Sequence, residues 1–301
     1  MNSRCARGLT AIALLMVMSG AAQDPPVIRV DVKLVRILAT VKTQTGNLVG
    51  GLKREEFEVY DSGVPQEIAV FETQTDQPVS VALLVDASGS TAKDLKSEAE
   101  SATRFLKTLL TGGNSRDRVA LYSFNWQVAR HGDYSRNYKG MESDLKELRG
   151  EAGTSLYDAI YLAARDLEGR DGRKIMIIVT DGGDTTSSKT LKQAVEAAHL
   201  ADAVIYPIVV IPITNDAGRN IGGENALTFI ADATGGRTFL ASLGAGLDRA
   251  FTGIIAELRT QYLLGYYPRS VPSTKDRFHK VEVRAKRQSL RVSARNGYFS
   301  D

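Results

Sequence analysis

Apolar and polar positions change rhythm twice along this chain, and the two changes divide it into three parts. From 27 to 77 the rhythm has period two. Ile28, Val30, Val32 and Leu34 alternate with Arg29, Asp31 and Lys33, as in a strand with one buried face. The phase then slips by one, to Val35, Ile37, Ala39 and Val41, which predicts a bulge or a strand passing between two sheets. Turns are expected at Thr45-Gly46-Asn47 and at Asp61-Ser62-Gly63, the second flanked by Phe57, Val59 and by Ile68, Val70. No helix is expected in this part.

From 78 to 261 the pattern becomes an alternation of strands and helices. Fully apolar runs occupy 79–85, 119–124, 175–180 and 204–211, with a short edge candidate at 238–240. Between them, helical stretches are expected over 91–110, 141–148, 155–167, 190–201, 226–233 and 245–259. In the first, Leu95, Ala99, Ala102, Leu106 and Leu109 recur at helical spacing, which gives one face to pack on a sheet. After Gln261 period two returns, over 262–267 and then in Val281, Val283, Ala285 and in Leu290, Val292, Ala294.

Fully apolar strands alternating with helices predict an α/β, doubly wound, mainly parallel sheet of Rossmann type, covered on both faces. Ligands of such folds bind at the carboxyl ends of the strands. The two or three terminal strands would be marginal alone. They are expected to pair with the N-terminal strands, so that 27–77 plus 262–301 form one discontinuous β-sandwich and 78–261 is inserted into it.

The first 22 residues stand apart from this pattern. Arg4 and Arg7 precede an apolar run over 9–18, followed by Ser19-Gly20-Ala21-Ala22, as in a secretory signal peptide cleaved near Ala22. The run is too short to span a bilayer comfortably, and a retained N-terminal anchor is the alternative. Losing Arg4 and Arg7 with it lowers the formal charge from +3 to +1, so a basic character is not expected of the mature chain. Cys5, the one cysteine, lies in this segment and ahead of its apolar run. That excludes a disulfide in the mature chain and a lipid anchor on a cysteine after the run. No second apolar stretch has spanning length. The expectation is an exported bacterial protein, periplasmic or secreted.

Chemistry concentrates at the end of the first apolar run of the middle part. Asp86-Ala87-Ser88-Gly89-Ser90 follows it directly and places one carboxylate and two hydroxyls at a strand end, with Gly89 expected to permit a tight turn. Gly153-Thr154-Ser155 puts a hydroxyl at a helix start, and Asp181 follows the run 175–180. Oxygen donors of this kind suit Mg²⁺, Mn²⁺ or Ca²⁺. Each hydroxyl taken singly suits a helix N-cap equally well. Two strand-end carboxylates are harder to explain as structure, because desolvated like charges repel and a cation relieves them. Asp184 reads as a solvated loop acid, with a supporting place behind the direct ligands as the alternative, and Asp158 as a complement to the dipole of its helix.

Catalytic patterns are missing. His131, His199 and His279 lie far apart, and there is no Gly-x-Ser-x-Gly elbow, phosphate-binding loop or mature cysteine nucleophile. An aspartyl phosphotransferase could use Asp86 with Mg²⁺ but wants a second Asp two residues on, where this chain has Ser88. Between Arg269 and Arg295 nine Lys and Arg face only Asp276 and Glu282. They alternate with apolar residues, as on a solvated strand face, rather than interleave with aromatics as a nucleic-acid site would.

Asp86, Ser88, Ser90, Thr154 and Asp181, in this order and on these elements, resemble the metal-ion-dependent adhesion site of the von Willebrand factor A domain. The resemblance implies direct metal contact by Ser88, Ser90 and Thr154, with Asp86 and Asp181 bound directly or through water. It also implies an open coordination position that a partner's carboxylate fills. The flanks 52–61, 262–266 and 296–299 resemble a subfamily of such proteins described mainly in Acidobacteria. The implied function is non-enzymatic binding of a protein or envelope partner through Mg²⁺, with Mn²⁺ or Ca²⁺ as alternatives and no nucleic acid. A structural module with a stabilising metal is the second reading, and a Mg²⁺-dependent hydrolase or phosphotransferase the third.

Overall fold

The computed structural model describes residues 34–73, 77–211 and 220–300. The expected signal segment and the alternation over 28–33 lie outside them. In chain order the elements are β1 (Val35–Thr43), β2 (Phe57–Asp61), β3 (Val64–Gln66), β4 (Val70–Thr73), β5 (Val79–Asp86), α1 (Leu95–Gly112), β6 (Arg118–Phe124) and β7 (Val128–Ser135). There follow α2 (Tyr138–Glu147), α3 (Leu156–Glu168), β8 (Arg173–Thr180), α4 (Leu191–Leu200), β9 (Ala203–Val210), α5 (Ile221–Thr234), β10 (Phe239–Ala241) and α6 (Ala245–Thr260). The chain closes with β11 (Tyr262–Tyr266), β12 (Phe278–Ala285), β13 (Leu290–Ala294) and β14 (Gly297–Phe299). One short 3₁₀ turn, Arg54–Glu56, interrupts the N-terminal strands, where no helix was expected.

The central sheet has the order β10-β9-β8-β5-β6-β7 and is parallel except for β7, an antiparallel edge. The expected α/β, mainly parallel architecture is therefore present. β7 itself carries no sequence signal, because Val128–Ser135 has no buried residue and lacks alternation. β5 shows why the other strands read as continuous apolar runs. Val81, Leu83 and Val85 enter the core under α1, α2 and α6, while Ala82 and Leu84 enter the core under α3, α4 and α5. Both faces are covered, so neither can be polar.

Two four-stranded antiparallel sheets, β13-β1-β11-β4 and β14-β12-β2-β3, come from the two ends of the described chain. Ala39 in β1 lies between Tyr262 of β11 and Ala294 of β13. Ile37, Ala39, Phe57, Val59, Leu264 and Val281 share one core between these sheets. The basic C-terminal strands keep Lys280, Arg284 and Arg291 in solvent, in line with a solvated face, while Arg295 is buried against Asp202. Among the described residues no helix is long and apolar enough to cross a membrane.

Candidate metal centre

Two neighbouring strands of the central sheet end at the site. β5 and β8 pair in parallel up to Val85 and Val179, so Asp86 and Thr180 end the two strands side by side. Asp86 is fully buried at the end of β5, and Asp181 follows β8 half-buried. The chain after Asp86 stays pinned to both sides. Ala87 N–H donates to the Phe124 carbonyl at 2.8 Å, and Glu151 N–H donates to the Ala87 carbonyl at 3.0 Å.

Within this frame one backbone N–H and the side-chain oxygens form a run of hydrogen bonds. Asp86 Oδ1 accepts from the Ser88 N–H at 2.8 Å, the Ser88 and Ser90 hydroxyls meet at 3.1 Å, and Ser90 Oγ donates to Asp181 Oδ1 at 3.1 Å. Neither serine caps α1, which begins only at Leu95 after Asp94. The chain does turn tightly at Gly89, the Thr91 N–H donating to the Ser88 carbonyl at 3.2 Å, but the turn leaves room for a side chain, since a Cβ there would meet only the Glu151 carbonyl, at an ordinary 3.8 Å. Thr154 is held by its backbone to the segment beyond Asp181, not to this run. Its N–H donates to the Thr185 and Thr186 hydroxyls at 2.9 and 3.1 Å, and its carbonyl accepts from the Thr185 N–H at 2.9 Å. That fixes the Thr154 loop to the segment that follows Asp181.

Two acids near the site do more than expected, Asp158 in addition to its place in the first turn of α3. Asp184 is half-buried, not a solvated loop acid, and accepts from the Tyr157 N–H at 3.2 Å at the start of α3. Asp158 accepts from the N–H groups of Ser188 and Lys189 at 2.9 and 2.8 Å, holding the same loop to α3. Both fix the geometry of the 181–190 segment.

Electrostatics sharpen the case for a cation. Burial pushes Asp86 up to about 6, against the pull of hydrogen bonds from Thr180 and Ser88, and the charge of Asp181 adds to the rise. Burial raises Asp181 as well. Both carboxylates hold protons more tightly than in water because they have lost solvent. A divalent cation reverses that preference, and the donor set of carboxylates and hydroxyls fits a hard ion. Among the described residues no three His, Cys, Asp or Glu side chains cluster as a metal site, so any such shell is rich in hydroxyls.

Several residues here escaped the sequence reading. Thr180, fully buried, donates to Asp86 Oδ2 at 2.6 Å. Thr91 donates to the carbonyls of Asp86 and Ser88, both at 3.0 Å. Trp126, between β6 and β7, stands 54% exposed at the rim and donates its indole N–H to Glu151 at 3.0 Å. Its carbonyl accepts from Ser155 Oγ, so it sits over the Thr154 loop.

Residues 81–184, which contain all five candidate ligands, match the family model of the von Willebrand factor type A domain. The chain carries a von Willebrand factor type A domain. The fold of solved structures agrees. A von Willebrand factor type A protein from Catenulispora acidiphila is 13% identical over 89% of this chain and 74% of its own, with a TM-score of 0.53. The domain of the type V pili tip protein Mfa5 from Porphyromonas gingivalis is 15% identical over 61% of this chain and 97% of its own, at 0.50. The pilus adhesin SpaC from Lactobacillus rhamnosus GG is 13% identical over 72% of this chain and 36% of its own, at 0.50. At such identities the likeness concerns the fold. No curated protein matches the chain in sequence.

Proposed function

We propose that this von Willebrand factor type A domain binds a protein or envelope partner through a divalent cation, without catalysis. Asp86, Ser88, Ser90, Thr154 and Asp181 would hold the ion, Mg²⁺ first and Mn²⁺ or Ca²⁺ as alternatives. The observation that carries the reading is the unbroken run Asp86–Ser88–Ser90–Asp181, set at two strand ends and shared by one buried and one half-buried carboxylate. A shell so poor in charge leaves the ion ready to accept a carboxylate from a partner. Trp126 beside it offers the exposed aromatic surface that binding hot spots use. The pilus-tip and pilus-adhesin likenesses favour the same use of the fold at a cell surface. We take the protein to be exported, periplasmic or secreted, with 27–77 plus 262–301 as a platform for the domain at 78–261.

The test is a pull-down from the native cell envelope in Mg²⁺ or chelator, with wild type and Asp86→Ala. Capture that needs both Mg²⁺ and Asp86, with circular dichroism unchanged, is the expected result. Capture indifferent to both sinks the reading. Turnover of a generic phosphoester lost in Asp86→Ala would favour an enzyme instead.

A further inference from the structure

Glu98 is the polar group in this region that the interactions described above leave without a use. It lies near the start of α1, is 2% exposed, and neither carboxylate oxygen has a hydrogen-bond partner. Its backbone is satisfied, the N–H donating to the Asp94 carbonyl at 3.1 Å, so the defect is confined to the carboxyl. The charges that act on it are those of Asp86, Asp181 and Asp94, all acidic. Buried carboxyls are normally hydrogen-bonded or paired with a cation. Helical packing gives no reason for one here. Glu98 falls on the apolar stripe of Leu95, Ala99 and Ala102, where a hydrocarbon side chain would pack at no such cost.

Glu98 does not join Asp86 and Asp181 in a cluster of direct ligands, since no three acidic side chains among the described residues stand that close. We propose that Glu98 is a positioning residue of the metal centre, accepting a hydrogen bond from a water bound to the cation. It thereby lends the hydroxyl-rich shell a negative charge that its direct ligands do not supply. This rests on the reading that the site takes a divalent cation, and it explains why a carboxyl occupies a core position.

The test is Mn²⁺ binding to the full chain at neutral pH, with free Mn²⁺ counted by electron paramagnetic resonance and Mg²⁺ competing. Glu98→Gln keeps size and fold, and Glu98→Met fills the core position with a good helix former. Both are expected to bind Mn²⁺ about tenfold or more weakly, as loss of an outer-shell partner does, while melting in chelator no lower than wild type. Unchanged affinity in Glu98→Gln overturns the proposal whatever Glu98→Met does. Wild type that binds no Mn²⁺ or Mg²⁺ overturns the metal reading and this one together. Binding by wild type equal to that of Glu98→Gln overturns this one alone.

Discussion

Thr180 donates its hydroxyl to Asp86 across 2.6 Å, joining the ends of β8 and β5 beneath the candidate metal site. Both residues are fully buried, so the bond has no competition from water. The same hydroxyl accepts from the Gly182 N–H at 3.2 Å, and thus shapes the turn that presents Asp181. Thr180→Val keeps the shape and removes the donor, leaving Asp86 Oδ2 without one. A loss of about 1–3 kcal/mol is expected, read as a lower urea midpoint in chelator, together with weaker Mg²⁺ binding. A midpoint equal to wild type would contradict this role.

The pH dependence of the metal-free protein follows from Asp86. Its folded-state value of about 6 lies above the ordinary 3.8, so the folded chain holds this proton more tightly than the unfolded chain. The resulting stabilisation is complete below 3.8 and is lost as pH climbs through about 6. The interval is worth about 3 kcal/mol. Buried His199 runs the other way, since burial lowers its value and its protonation opposes folding in acid. Subtracting Asp86→Asn isolates the carboxyl. In chelator, wild type should lose stability relative to Asp86→Asn between pH 4 and 7, and saturating Mg²⁺ should abolish the loss. Thermal unfolding across that range checks it, and a constant difference would refute it.

What could be read from the chain, and what could not, has a physical pattern. β5, β8 and β9 announce themselves because strands buried on both faces must be apolar throughout. Asp86 and Asp181 were legible because each ends such a run. Thr180 was not, because nothing in an apolar string distinguishes a threonine packed as a methyl from one bonded to a neighbouring strand. Glu98 did leave a signal, a charge on an apolar stripe, which the register of Leu95 and Ala102 makes visible. β7 left none, since an exposed edge strand has no face that must be apolar.

Gly223, in the first turn of α5, supports the Asp181 loop by being small. A Cβ there would lie 2.5 Å from the Gly183 nitrogen and 2.6 Å from its Cα. Two glycines thus let backbone pack on backbone where the loop leaves β8. Gly223→Ala must push residues 182–183 away, costing about 1–3 kcal/mol as other overpacked sites do. Because the displaced segment adjoins Asp181, Mg²⁺ affinity should fall with stability. Calorimetric titration alongside thermal melting checks the pair of effects. A stable variant with full metal affinity would show that the loop does not depend on this contact.

Lys42 and Glu257 tie β1 of the antiparallel sheets to α6, which packs on the central sheet. Lys42 Nζ approaches Glu257 Oε1 at 2.7 Å, and Arg237 bonds the same oxygen, while the Glu257 side chain is only 2% exposed. Burial pulls the Lys42 ammonium below its usual range, against the attraction of Glu257, so the pair offsets a desolvation cost instead of adding free stability. Removing one partner should therefore hurt more than removing both. Glu257→Ala strands two cations, one of them largely buried, and is expected to cost about 3–5 kcal/mol. Lys42→Met leaves Glu257 its bond to Arg237 and should cost less. In the double variant Lys42→Met with Glu257→Ala, the total should fall below the sum of the singles, a coupling that a double-mutant cycle by urea unfolding measures directly. Strict additivity would mean that the two parts of the fold are held at this joint by apolar packing alone.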